Sequence, residues 1–340
     1  VYLSPAFSAE ALGRSGGGRE WMICRYPGIL KMDWPRMKIF LAKSAITGGL
    51  LWLLAGRVDL RRTFEIFGDA NRPALAGSVA ILLGLMVPAT IRWHYVLRAL
   101  RLRFPARRLF EWNLASGFIN QVLPSSLGGD LLRADWCRRA GLPVRAALES
   151  VVIDRLMAFS CLVIVVLLAS PIFLSSVRVT AVELRYLLIA VVPVAAVSTG
   201  ALAACYYAPN NVIVSNVRGV LDQCFRVVFR SGVGGRVLGY GLFVHFLRVS
   251  GLWLIAIALG IDAGFFLCLA IAPICLLIAM VPISIGGWGV REGAFVGIFS
   301  RSGMSTEEAL ALSVAYGLAL IAASLPGAVA IPFLRASNES

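Results

Sequence analysis

Histidine, lysine and acid are all scarce in this sequence, and each scarcity excludes something. Two histidines, His94 and His245, in 340 residues leave little material for a metal site. The seven cysteines show no CxxC or CxxH spacing, and Cys161, Cys205, Cys268 and Cys275 sit inside apolar runs. They read as small buried apolar residues, not as ligands or nucleophiles. No GxxxxGK[ST] string occurs, so direct driving by ATP is not expected. No cofactor is implied. Charged residues make up only 15% of the chain, well short of the roughly one quarter that covers the surface of a soluble domain.

What is present is apolar. The hydrophobic share is 59% and the mean hydropathy is +0.82. Long apolar runs cover about 38–56, 74–97, 149–170, 184–207, 238–260, 264–281 and 309–334. Runs of about 20 residues cross a hydrocarbon core of roughly 30 Å as helices, and helices satisfy their own backbone groups where lipid cannot. An all-α integral membrane protein follows. Residues 1–36, rich in Gly, Ser and Arg, carry no signal-peptide core and are expected to be disordered, with Met37 an alternative start. Residues 37–335 then form a single transmembrane domain.

The formal charge of +14 comes from 32 Lys+Arg against 18 Asp+Glu. In a soluble chain it would suggest nucleic acid; here the basic residues lie between apolar runs, so topology and anionic headgroups explain them and no nucleic-acid partner is expected. Nearly all are arginines, whose forks match phosphate oxygens. Loop charges orient the chain. The arginine-rich stretches 98–108, 138–145 and 208–237 go to the cytoplasm with both termini, and the charge-balanced loop 57–72, Arg178 with Glu183, Asp262 and 301–308 go outside. This yields six full spans and two re-entrant hairpins, or eight spans by hydropathy. The expected location is a bacterial inner membrane.

The two hairpins carry one motif. Pro124, Ser126, Gly128, Gly129 and Arg133 match Pro282, Ser284, Gly286, Gly287 and Arg291 at a constant offset of 158 residues. The repeats cover about 38–170 and 184–334, each reading span, span, hairpin, span. A unit with an odd number of crossings must be followed by an inverted copy, an arrangement recurrent in transporters. Proline ends a helix and Gly-Gly permits a reversal with φ > 0. Broken backbone at membrane depth survives only when protein shields it or a wet cavity borders it. Beside each break stands a charged pair, Asp130 with Arg133 and Arg291 with Glu292. A helix starting there aims free N–H groups at the gap, suited to an anionic headgroup. Asn120 flanks the first break, and Asp154 and Arg155 lie near the inner end of run three, where such residues usually face a bundle interior. Arg92, Arg155 and Arg248 either snorkel to the interface or pair structurally. The tryptophans 93, 112, 136, 253 and 288 are expected to be interface anchors.

The strings FINQVLPSSLGGDLLRADWCRRAG (118–141), ESVVIDRL (149–156) and PISIGGWGVREGAF (282–295) together resemble the lysylphosphatidylglycerol synthase transmembrane-region, or flippase-like, family over about residues 38–334. The family includes the flippase half of the multiple-peptide-resistance factor. The resemblance implies that the chain moves an anionic or phosphate-bearing lipid between leaflets, as flippase or scramblase, and is not an enzyme. Its partners would be membrane lipids: a phospholipid, an aminoacyl-phospholipid, a hopanoid or a polyprenyl-linked lipid, with a homo-oligomer as a further option. An intramembrane enzyme acting on a lipid phosphate, and an accessory subunit for a cell-envelope glycosyltransferase, stay open as alternatives.

Overall fold

The computed structural model describes residues 34–122, 128–177, 212–281 and 283–336. No strand occurs among the described residues. Two compact units divide the chain, Val1–Ala42 and Lys43–Ser340. Of the first, the described residues 34–42 are helical. The expected disorder of 1–36 falls almost wholly outside the described residues, as does run four.

The helices are α1 (Trp34–Ala55), α2 (Leu60–Gly68), α3 (Arg72–Gly84), α4 (Met86–Ala99), α5 (Ala106–Val122), α6 (Gly128–Arg139), α7 (Val144–Ser176), α8 (Val212–Phe225), α9 (Gly234–Ala258), α10 (Phe265–Ala279), α11 (Val290–Phe299), α12 (Thr306–Ser324) and α13 (Pro326–Ala336). Their starts follow from local chemistry. Asp59 caps α2, its carboxylate accepting from the amides of Arg61 and Arg62 at 2.9 and 3.2 Å. Asn71 caps α3, accepting from Ala74 N at 3.1 Å with Pro73 in the first turn. Ser305 and Glu308 form a reciprocal capping box at α12.

Among the described residues four helical stretches are long and apolar enough to cross a membrane: Arg72–Ala99, which joins α3 to α4, Val144–Ser176, Gly234–Ala258, and Thr306–Ile331, which joins α12 to α13. The chain is therefore a multi-pass membrane protein. Phe40–Ala55 and Phe265–Ala279 are shorter apolar helices. The helices around the two breaks are also short. At 1.5 Å per residue, α5 and α6 rise only about 26 and 18 Å, and α10 and α11 about 22 and 15 Å. Each falls short of a hydrocarbon core of roughly 30 Å.

Within Lys43–Ser340 the helices pack in matching pairs. α5 lies on α6 as α10 lies on α11, and α6 lies on α7 as α11 lies on α12. α7 packs on α10, and in turn α12 packs on α5. α9 runs through the middle, touching α3, α4, α7, α10 and α12. Its buried stripe includes Gly241, His245, Leu252 and Ile255, whereas Phe243 and Phe246 point outward.

Candidate functional site

Two charged clusters sit within this framework. The first joins α4, α6 and α7. Asp154 is 2% exposed and uses each carboxylate oxygen on a different arginine. Its Oδ1 accepts from Arg92 Nε at 2.9 Å, and its Oδ2 from Arg133 Nη2 at 3.0 Å. Arg133 also reaches Asp130 at 3.7 Å, and Asp130 accepts from Arg155 at 2.6 Å. The Arg133 guanidinium lies 3.8 Å from the centre of the Trp93 ring, a cation–π contact strengthened by desolvation. Three arginines against two aspartates leave one surplus positive charge. Arg155, half-exposed at 49%, carries it towards the edge of the cluster.

The second cluster is smaller and more local. Arg291 pairs with its own neighbour Glu292 at 2.6 Å, and Ser313 of α12 bridges both side chains. The other Glu292 oxygen accepts from Gly289 N at 2.6 Å. The Arg291 guanidinium sits 4.5 Å from the Trp288 ring centre. Arg133 and Arg291 are thus each stacked on a tryptophan, but Trp93 is supplied by α4 and Trp288 by the break itself. Ile285 N donates to Thr47 Oγ1 at 3.0 Å, which holds the second break against α1.

The two glycine pairs behave differently. Gly286 and Gly287 adopt φ of 59° and 78°, the expected reversal. Gly128 and Gly129 do not: they already belong to α6, and neither has positive φ. Gly129 is required there for close approach. A Cβ at 129 would collide with the Ser116 carbonyl and with Asn120 of α5. Asn120 Oδ1 accepts from Gly129 N at 2.8 Å, so the start of α6 is capped from within, and Glu292 does the same for α11. Acids in the first turns, Asp130 and Glu292, face the positive ends of the dipoles. The amides expected to be free for a headgroup are in part already engaged.

Of the candidate residues, Asn120, Gly128, Gly129, Asp130, Arg133, Asp154 and Arg155 therefore converge on the first cluster. Gly287, Arg291 and Glu292 converge on the second, Gly287 through its carbonyl, which accepts from Arg291 N at 2.9 Å. Ser284 is buried with no partner for its hydroxyl, and Gly286 is exposed in the turn. Ser126 lies outside the described residues. Among the described residues no hydrogen bond or ion pair joins one cluster to the other. Sequence reasoning left Arg92, Trp93 and Ser313 out of the site. Ser313 was within reach of the offset, since it stands 158 residues after Arg155. Trp93, Trp112 and Trp136 are buried at 0, 5 and 9% exposure and stack in series, which corrects the expectation of interface anchors for these three. They pack there in the apolar cluster that α4, α5 and α6 share with Ala147 and Val151 of α7.

A polytopic helical membrane protein with charged clusters held inside its bundle is the class so defined. The chain belongs to the lysylphosphatidylglycerol synthase TM region family, which it matches over residues 40–327. It is 24% identical over 310 residues to a UPF0104 membrane protein of Methanothermobacter thermautotrophicus, covering 78% of this chain and 87% of the relative. A second UPF0104 membrane protein of that organism is 25% identical over 329 residues, with 85% and 96% covered.

Proposed function

We propose that this protein translocates an anionic or phosphate-bearing lipid between leaflets, without catalysing a covalent change. The observation that carries the reading is reciprocal packing. Shifted by 158 residues, Arg72–Ala99, α5, α6 and α7 fall on 230–257, 264–280, 286–297 and 302–334, which overlie α9, α10, α11 and α12–α13. The contacts obey the same shift, α7 on α10 answering α12 on α5. Two copies related in this way, each with an odd number of crossings, form an inverted pair. The short helices on either side of each break then enter and leave on one face as re-entrant hairpins. Six spans, two hairpins and cytoplasmic termini in a plasma membrane complete the arrangement. Buried charges at such breaks line a polar route for a headgroup while tails stay in lipid.

The test is leaflet exchange of fluorescent phosphatidylglycerol in liposomes holding the purified chain. Exchange is expected in wild type and is expected to be lost in Arg133→Ala and Arg291→Ala protein that remains monodisperse. A modified lipid product instead would assign an enzyme, and neither exchange nor product an accessory role.

A further inference from the structure

Arg248 belongs to neither cluster, and its charge has no carboxylate partner among the described residues. It stands two residues past the midpoint of α9, a 25-residue membrane-crossing helix. Ten residues of helix, about 15 Å, separate it from Ala258, too far for its head to reach the interface. It is partly exposed on the helix that buries His245 and Leu252, and its Nε is buried with no hydrogen-bond partner.

His245 is already bonded to the Ala158 carbonyl at 3.1 Å. On α12, the Tyr316 hydroxyl is 1% exposed and also without a partner. Arg248 and Arg291 both lie within electrostatic range of that hydroxyl, while Arg248 and Arg92 both lie within range of His245. The helix that carries Arg248 packs on α4 and α7 of the first cluster and on α12 of the second. Arg291 is balanced by Glu292, so the charge of Arg248 is in surplus. Arginine cannot shed its proton, and an uncompensated charge in the middle of a membrane-crossing helix is costly.

The structure assigns Arg248, with the Tyr316 hydroxyl of the neighbouring helix α12, as the contact for one oxyanion group, a phosphodiester or phosphate, midway along α9. The guanidinium fork gives two parallel N–H donors to two oxygens and the tyrosine one more. The shared chemistry fits a phospholipid headgroup or a free phosphate. As a step on a lipid's path the contact rests on the translocation reading; as an anion site it is measured separately.

The experiment uses the full chain in an uncharged maltoside detergent, titrated with dihexanoylphosphatidylglycerol or with inorganic phosphate while binding is read by calorimetry. Saturable binding is expected, weakened about tenfold or more in Arg248→Gln, since hydrogen bonds to charged groups contribute at that level. Arg248→Lys should retain part of it, and Tyr316→Phe should weaken it by less than Arg248→Gln while sparing the fold if Arg248→Gln does not purify intact. Binding of the lipid alone assigns the headgroup as the source, and equal binding of inorganic phosphate assigns a free anion. Wild-type affinity in Arg248→Gln and Tyr316→Phe, or no saturable binding of either probe to wild type, overturns the site. Leaflet exchange in the same preparations separates the two ideas. Exchange in wild type with undiminished binding in Arg248→Gln removes this contact and leaves translocation standing. Arg248-dependent binding without exchange does the reverse.

Discussion

Asp154 is the residue on which the first cluster turns, because it accepts hydrogen bonds from two arginines on two helices other than its own. Arg92 is 62 residues away in sequence and Arg133 is 21. Taking charges out of water costs more than most pairs return, but removing one member of a buried pair costs more still, about 3–5 kcal/mol. Asp154→Asn leaves Arg92 and Arg133 with surplus charge in a buried site and should lose stability of that order. Thermal unfolding in detergent checks this as a fall of several degrees in the melting temperature. The double variant Arg92→Met/Asp154→Leu removes one charge of each sign and leaves Arg133 its Asp130 contact. It should recover much of the loss. A double variant no more stable than Asp154→Asn would show that packing, not charge pairing, makes the site rigid. Much of this was hidden in the sequence. Arg92 and Asp154 each stood out as a charge within an apolar run, but nothing local says which acid meets which arginine across three helices.

The two broken elements were legible, because proline and glycine act on the backbone directly and the 158-residue offset repeats the punctuation. Their difference was not. In the first broken element α6 is tied to α7 by two ion pairs and to α4 by the stacking of Arg133 on Trp93. The second keeps its charge pair between adjacent residues of α11 and reaches α12 through Ser313. An i,i+1 pair cannot hold its helix against another element, so α11 should release more readily than α6. Hydrogen exchange on the reconstituted protein should show faster exchange in peptides spanning 290–299 than in those spanning 128–139. Equal or reversed protection would mean that apolar packing of Phe295 and Phe299, not the ion pairs, sets the order of opening. The same asymmetry explains why glycine means two things here: a turn at 286–287 and a helix contact at 129. A repeated motif reports that the chain breaks twice, and tertiary contact decides how.

At the scale of the molecule the decisive property is handedness across the bilayer. Matched helix boundaries and matched contacts would arise equally from parallel copies if each unit crossed an even number of times, and the apolar helices around the breaks are what make the count ambiguous. Full crossings by α5–α6 or α10–α11 as continuous spans would need about 20 residues each, and none of these four helices has them. On the proposed reading each pair returns to its own side, the unit crosses an odd number of times, and the ends of the two hairpins are expected on opposite faces. Ala140 follows the first hairpin and is exposed; Ser302 follows the second and is partly exposed. The cysteines at 137, 161, 224, 268 and 275 are buried and give little background labelling. In intact cells a membrane-impermeant maleimide should label Ser302→Cys readily and Ala140→Cys only after permeabilisation. Labelling of both from one side would make the repeats parallel. A headgroup route alternating between two inverted breaks would then be lost, because both breaks would open to the same water.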